Sequence, residues 1–467
     1  MKFHIHTYGC QMNMRDSGAM AAILKENGHK PANSEQDADV VIVNTCSVRE
    51  KAEEKAIGKL RLLVRDRESG SAPNRKIGAA GCMIQRLKQK IFDEVPGLDF
   101  ALGTRMTVHL PRMIEALTEG SEPVYLIDSE LQGTDLVSSH PEEGSSAFIN
   151  IMLGCNMNCS YCIVPSVRGR EWSRPAGDIV KEVEVLARSG VREVILLGQS
   201  VMAYGRANRV FEAAYSPSLG YTEPFPRLLD LIAQVDGISR IRFTSGHPSG
   251  CSEELARAVA EIPAVCEHVH LPLQSGSARI LKLMRRGYNV EKYMAAVNNL
   301  KSRNPGIAIT TDIIVGFPSE TDEDFEKTRK LMDIAGFDNA FIFKYSPRPH
   351  TDAFEMKDDV PEEEKLRRNK LLLADQDRRV TEINNRLIGQ EVEVLVEGVS
   401  KRNNRRMSGR TRSNKVALFD RTSETREGEL IRMKVERSTP SALYCVPAEN
   451  LHPVETSSCE SIIRGDL

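Results

Sequence analysis

The sequence predicts an α/β chain in three parts: a parallel α/β domain, a partial barrel of six βα repeats, and a small C-terminal β-barrel. Three observations carry this. Apolar runs in the first 127 or so residues are each followed by a helical pattern. Six strand-like runs alternate with helical patterns between about residues 147 and 378. Beyond about residue 380 the apolar residues alternate with period two. A length of 467 residues accommodates two to four domains. A hydrophobic content of 40% and a charged content of 27% are ordinary for a soluble globular chain. No apolar run reaches the length of a membrane span, and MKFHIHTYG lacks the apolar core of a signal peptide, so a cytoplasmic protein without a membrane partner is expected. Ten cysteines in that compartment point to metal or redox chemistry rather than a disulfide framework. A net charge of −2 leaves the question of nucleic acid to local charge.

Residues 3–8, 40–44 and 77–80 read as strands, and residues 51–67 as the clearest helix, giving a βαβα order and a parallel sheet. Cys10, Cys46 and Cys82 each follow a strand immediately, at equal intervals. Loops after parallel strands gather at one sheet edge, so the three thiols could meet there. They are either buried structural thiols or the ligands of a metal cluster. Residues 128–146 are polar, acidic and aperiodic, as an exposed linker would be.

In the central part, strand-like runs at residues 148–152, 194–197, 241–243, 268–271, 309–315 and 340–345 alternate with helical patterns. The first is followed by GCNMNCSYCIVPSVRGREWSRP, with Cys155, Cys159 and Cys162 spaced C-x3-C-x2-C. Three thiolates this close must point into one small volume. They are one short of a closed tetrahedral zinc site or a fully ligated cubane. The physical reading is a [4Fe–4S] cluster with one iron left open for a small molecule. A zinc site would bring paired C-x2-C units and a fourth ligand nearby. Loops after barrel strands carry active sites. Beside this motif, a second open cluster on Cys10, Cys46 and Cys82 becomes the favoured reading of those thiols. Arg168, Arg170 and Arg174 could meet a carboxylate or a phosphate, although for any one of them an internal ion pair is the simpler reading. Cys251, Cys266, Cys445 and Cys459 lack ligand spacing, and the single Trp172 reads as packing.

A charged helix over residues 361–387 leads into alternating segments at 391–396, 415–419, 430–435 and 442–446, the pattern of an OB-like barrel. Between the first two lies SKRNNRRMSGRTRSNK. It holds Lys401, Arg402, Arg405, Arg406, Arg410, Arg412 and Lys415, and the run contains no acidic residue. A phosphate backbone is the natural partner of such a patch.

These motifs carry a family resemblance. The three-cysteine spacing, with Tyr161 before the last cysteine, resembles the radical S-adenosylmethionine (SAM) superfamily. YGCQMNMRDS, NTCSVREKAEEK and GCM around Cys10, Cys46 and Cys82 resemble the N-terminal domain of methylthiotransferases, and the form YGCQMN resembles the MiaB family. LLGQSVMAYG, with Gly198 and Gln199, is similar to the family's LLGQNVNAYG; many radical SAM proteins have Gly-Gly-Glu there. RFTSGHP with Ser245, HLPLQSGS with Gln274, DIIVGFPSET with Val315 and KYSPRPHT resemble successive strand ends. GRTRSNKVALF resembles the family's TRAM domain, which binds tRNA. Residues 206–224 look like a surface insertion, and His350 stands where glycine is common. The expected architecture is therefore a flavodoxin-like parallel α/β domain (1–127), a linker (128–146), a partial (βα)6 radical SAM core (147–378), a TRAM, OB-like barrel (380–450) and a polar tail (451–467).

The resemblance implies two [4Fe–4S] clusters, one auxiliary on Cys10, Cys46 and Cys82 and one SAM-binding on Cys155, Cys159 and Cys162. Tyr161, Gly198, Gln199, Ser245, Gln274 and Val315 would line SAM. The implied activity is 2-methylthiolation of N6-(dimethylallyl)adenosine next to the anticodon of tRNA. One SAM would supply the methyl group and a second a 5′-deoxyadenosyl radical. An electron donor such as a flavodoxin and a sulfur source would be needed. Two alternatives keep the chemistry and change the target, to threonylcarbamoyladenosine or a ribosomal-protein aspartate. A third is a non-catalytic iron–sulfur RNA-binding protein.

Overall fold

The structure is a computed structural model that describes residues 1–47, 50–118, 122–128, 144–211, 219–422 and 425–448. Most of the expected linker, the middle of the 206–224 segment, Cys459 and the tail lie outside the described residues.

Six parallel strands form the N-terminal sheet: β1 (Lys2–Tyr8), β2 (Lys30–Pro31), β3 (Val40–Thr45), β4 (Lys76–Gly81), β5 (Phe100–Leu102) and β6 (Val124–Leu126). Their order, β2-β1-β3-β4-β5-β6, is flavodoxin-like. VVIVNT in β3 is buried along its whole length, because helices cover both faces of a parallel sheet. The sequence reading finds only β1, β3 and β4. The other three are two or three residues long, too short to display a period.

The central part carries β7 (Ser146–Asn150), a two-stranded hairpin of β8 (Met152–Leu153) and β9 (Trp172–Ser173), then β10 (Glu193–Leu197), β11 (Arg240–Phe243), β12 (His268–His270), β13 (Ala308–Val315) and β14 (Asn339–Lys344). The parallel sheets β11-β10-β7 and β12-β13-β14 are joined by a bridge between Ile241 and Val265, which gives the six-stranded partial barrel. Side chains alternate along each strand. Ile149, Val194, Ile241, Val269, Ile313 and Ile342 pack outward into one core. Their neighbours Phe148, Ile195, Arg242, His270, Asp312 and Phe341 therefore face the barrel interior.

Two departures from the family pattern acquire a physical description. The described ends of the 206–224 segment are exposed at Arg206, Ala207, Arg209, Leu219, Gly220 and Thr222 and anchored at Val210 and Tyr221, which are buried in the central core; the Arg257 guanidinium lies 4.6 Å from the Tyr221 ring centroid. His350 has φ of 69°, in the left-handed region that glycine adopts without strain. Its side chain is exposed. His350→Gly is therefore expected to raise stability by about 0.5–1 kcal/mol without changing activity, read by thermal unfolding and turnover.

Helix Glu362–Asn385 leads to a closed barrel of β15 (Glu391–Val399), β16 (Arg406–Thr411), β17 (Val416–Asp420), β18 (Leu430–Ser438) and β19 (Leu443–Pro447), in the order β15-β16-β17-β19-β18. The sequence reading misses β16, which runs through the basic stretch with Met407, Gly409 and Thr411 facing inward. This barrel docks on the N-terminal ends of the central strands. Arg240, fully buried at the start of β11, donates to the Arg410 carbonyl at 2.6 Å and pairs with Glu393 at 2.8 Å. Arg242 donates to the carbonyls of Thr411 and Arg412, both at 2.8 Å.

The docking corrects the reading of the basic run as one unbalanced patch. Arg412 pairs with Glu267 at 2.7 Å, Lys415 with Asp338 at 3.0 Å and Arg410 with Glu397 at 3.2 Å. The balancing acids come from outside the run, so composition of the run could not reveal them. Lys401, Arg402 and Arg405 are exposed, while Arg406 lies half-buried over the Tyr444 ring. No helix among the described residues is long and apolar enough to cross a membrane.

Candidate active site

The register of the N-terminal sheet brings three cysteines together. Tyr8 lies beside Thr45, and Thr45 beside Gly81, so β1, β3 and β4 end level with one another. Adjacent strands are about 4.8 Å apart. Cys10, Cys46 and Cys82 follow these ends directly, and Cys10 and Cys82 begin helices Gln11–Glu26 and Cys82–Leu87. Gly81 has φ of 97°, and a Cβ there would overlap Asn44 and the Thr45 carbonyl. The hydrogen bond with Cys46 brings the Cys10 thiol down to about 6, against burial and with help from Arg168. Burial pushes Cys82 up, against the Arg168 charge. Two buried asparagines frame the site. Asn13 Oδ1 accepts from the Cys10 N–H at 3.2 Å, and Asn44 Nδ2 donates to the Asn13 carbonyl at 2.9 Å.

The second set lies on the loop after β8. Gly154 has φ of 69°, and a Cβ there would overlap the Arg170 carbonyl, so only glycine admits the turn. The Cys155 N–H donates to Gly169 O at 3.1 Å and the Cys162 N–H to Cys159 O at 3.1 Å, which folds the three thiols to one side. Burial pushes Cys155 up and Cys162 up to about 12, so these thiols release protons when they take a metal. Arg286, buried, donates to Cys159 Sγ at 3.0 Å and to the Tyr288 hydroxyl at 3.1 Å. The Tyr161 ring stands edge-on to Phe317, with centroids 6.5 Å apart.

Facing this loop are the C-terminal ends of the central strands. Ser245 and Gln274 both have positive φ, at 58° and 70°. Strained conformations of non-glycine residues cluster at ligand sites. Gln199 Oε1, Ser200 Oγ and Gln274 Oε1 are buried without a hydrogen-bond partner among the described residues. Such atoms call for a polar ligand. Gly198 admits no side chain, because a Cβ would overlap Met152. Val315 is fully buried at the end of β13.

The two thiol sets adjoin. Cys82 packs with Ile163 and Val167, just after Cys162. Cys10 packs against a small cluster of Met12, Leu153 and Leu197, which Phe148 and Ile195 of β7 and β10 also join. Cys10 thus borders the barrel interior. Across it, Phe341 and Phe343 are 49% and 43% exposed, and His270 Nε2 lies 3.3 Å from Asp312 Oδ2.

The donor sets fit iron–sulfur chemistry. Each set brings three free cysteines, one set from three neighbouring strand ends and the other from one short loop, with no fourth protein ligand in its motif. Among the described residues no three His, Cys, Asp or Glu side chains crowd around one point that could hold a single ion. The thiolates of a cubane bind different irons and stand apart by the size of the cube.

Residues 149–332 match the Radical SAM superfamily, residues 385–444 the TRAM domain and residues 2–103 an uncharacterized protein family, UPF0004. The tRNA-2-methylthio-N(6)-dimethylallyladenosine synthase of Akkermansia muciniphila is 43% identical over 462 residues, covering 96% of this chain and 98% of its own. That of Moorella thermoacetica is 44% identical over 441 residues, covering 93% and 96%. The chain belongs to the MiaB family. The family comprises radical SAM methylthiotransferases that modify tRNA and carry a TRAM domain. A radical SAM methyltransferase of Kitasatospora setae shares the fold, with a TM-score of 0.58 at 15% identity over 76% of this chain and 75% of that one.

The strand-end motifs with Gly198, Ser245, Gln274 and Val315 lie at or just beyond the C-terminal ends of β10, β11, β12 and β13. Sequence reasoning missed Arg286, Asn13 and Asn44. YGCQMN and NTC contain the two asparagines, so the signal for them was in the motifs. Arg168 and Arg174 are not free for SAM or phosphate: Arg168 pairs with Asp16 at 2.6 Å, and Arg174 with Glu182 at 2.6 Å. Arg170 is exposed.

Proposed function

We propose that this chain 2-methylthiolates N6-(dimethylallyl)adenosine next to the anticodon of tRNA. The observation that carries the reading is the pair of three-thiol sets meeting through Cys82 and Ile163 at the mouth of one barrel. In this reading Cys155, Cys159 and Cys162 hold a SAM-binding [4Fe–4S] cluster, and Cys10, Cys46 and Cys82 hold an auxiliary one. Bound there, the first would supply the one electron that cleaves SAM to a 5′-deoxyadenosyl radical, and the second a place to hold the sulfur that is inserted.

The chain's own residues bind and orient. Gln199, Ser245 and Gln274 present polar atoms to SAM, while Tyr161, Gly198 and Val315 shape its pocket. Arg286 fixes Cys159 and gives that site a positive charge. The barrel interior receives the adenine, with its prenyl group against Phe341 and Phe343 and its polar edge toward His270 and Asp312. Lys401, Arg402, Arg405 and Arg406 grip the RNA backbone, and a splayed anticodon-loop base suits such recognition. An electron donor of flavodoxin type and a sulfur source act with it in the cytoplasm.

Nucleoside analysis of tRNA from a deletion strain tests the substrate. Loss of the methylthio mark on dimethylallyladenosine, restored by the wild-type chain, is expected. Persistence of that mark, with loss on threonylcarbamoyladenosine or a ribosomal aspartate, would overturn the reading. The double change Phe341→Ala and Phe343→Ala is expected to raise KM for prenylated anticodon stem-loops about tenfold, and to leave SAM cleavage without RNA unchanged.

A further inference from the structure

Arg168 is 4% exposed and reaches out of the radical SAM segment into the N-terminal domain. It ends the helix Val164–Arg168, which follows Cys162 after one residue. Its Nε donates to Cys82 Sγ at 3.2 Å, and its Nη2 donates to Asp16 Oδ2 at 2.6 Å. Asp16 lies on the helix Gln11–Glu26 that follows Cys10. The guanidinium therefore touches one thiol of the N-terminal set and the helix that carries another.

Its position is fixed from the opposite side as well. Thr104 Oγ1 donates to the Val167 carbonyl at 2.7 Å, and the Arg105 guanidinium donates to the carbonyls of Arg168 and Arg170. A buried guanidinium is costly unless countercharges and acceptors surround it. Asp16 supplies one negative charge, and Cys82 Sγ is the other acceptor.

We propose that Arg168 is a positioning residue of the N-terminal thiol set: it orients Cys82 toward Cys10 and Cys46 and supplies fixed positive charge to a cluster bound there. The inference rests on the reading that these cysteines hold an auxiliary cluster. Because Arg168 belongs to the segment that carries the other three cysteines, the surroundings of the auxiliary site are complete only when the two domains are docked. A cation with an N–H aimed at a ligating sulfur stabilises the more reduced, more negative form of a cluster, and so raises its reduction potential.

The test uses the full chain with Cys155, Cys159 and Cys162 changed to alanine, so that only the auxiliary site can hold iron. After anaerobic reconstitution with iron and sulfide, the midpoint potential is followed by electron paramagnetic resonance, and iron loss by the rate of chelation. Arg168→Met is expected to shift the potential to more negative values and to speed iron loss about tenfold or more. Arg168→Lys, which keeps the charge and loses the directed Nε–H, is expected to fall between. Asp16→Asn, which removes the countercharge and keeps the guanidinium, is expected to shift the potential the other way, to more positive values. If Arg168→Met does not fold, the Lys and Asn variants decide. Potentials and chelation rates equal to those of the parent would overturn the role of Arg168 alone. A parent that binds no iron would overturn the auxiliary cluster itself, and the proposal with it.

Discussion

The combined change Cys155→Ala, Cys159→Ala and Cys162→Ala is expected to abolish SAM cleavage while leaving about four of about eight iron atoms per reconstituted chain. The three thiols lie on one short loop and no other cysteine shares it. Removing them takes away every protein ligand of that site. The converse change, Cys10→Ala, Cys46→Ala and Cys82→Ala, is expected to keep 5′-deoxyadenosine formation and to yield no methylthiolated nucleoside. Iron counting and chromatography of the cleavage products check both. Iron content of zero in the first variant, or methylthiolated product from the second, would sink the two-cluster reading.

Arg240→Met is expected to be the most destabilising substitution between the central and C-terminal barrels, by about 3 kcal/mol. The guanidinium is fully buried and serves Glu393 and the Arg410 carbonyl together, so its loss leaves a carboxylate and a carbonyl with an unmatched apolar neighbour. The effect should reach function selectively. The C-terminal barrel loses its fixed place, so tRNA affinity falls, whereas SAM cleavage at the far end of the central barrel persists. Urea unfolding and binding of a tRNA stem-loop read the two consequences. Contrasting effects are expected within the basic run. Arg405→Ala weakens RNA binding across sequences and lowers the salt slope by about one. Arg412→Ala acts mainly through stability, because Arg412 pairs with Glu267. Unchanged unfolding in Arg240→Met would show that the docking contact contributes nothing to the fold.

The cysteine motif of the central domain was legible because a run of eight residues can hold three thiols in only one small volume. The N-terminal set was legible only in part. Its equal spacing suggested strand ends, but convergence depends on β1, β3 and β4 being neighbours in register, and neighbours in a sheet are not written in the local pattern. The strand-end motifs were legible only through their resemblance to a family; the positive φ of Ser245 and Gln274 is a property of the fold that the local pattern did not show.

Charge was read least well. The run from Lys401 to Lys415 looked uniform, yet the structure divides it into an exposed hairpin and an interdomain contact. Arg168 reads in the sequence more simply as an internal ion pair than as a SAM contact, and it does pair with Asp16; what the sequence did not show is that its Nε–H reaches Cys82.

The sequence by itself therefore determined the order of the three domains, because this depends on spacing and period along the chain. Only the tertiary structure decided which arginine meets a cysteine thiol, which hold domains together and which stay exposed. An ion pair forms wherever packing brings opposite charges within a few ångströms, and Glu267 and Asp338 reach Arg412 and Lys415 across separations that no local pattern records.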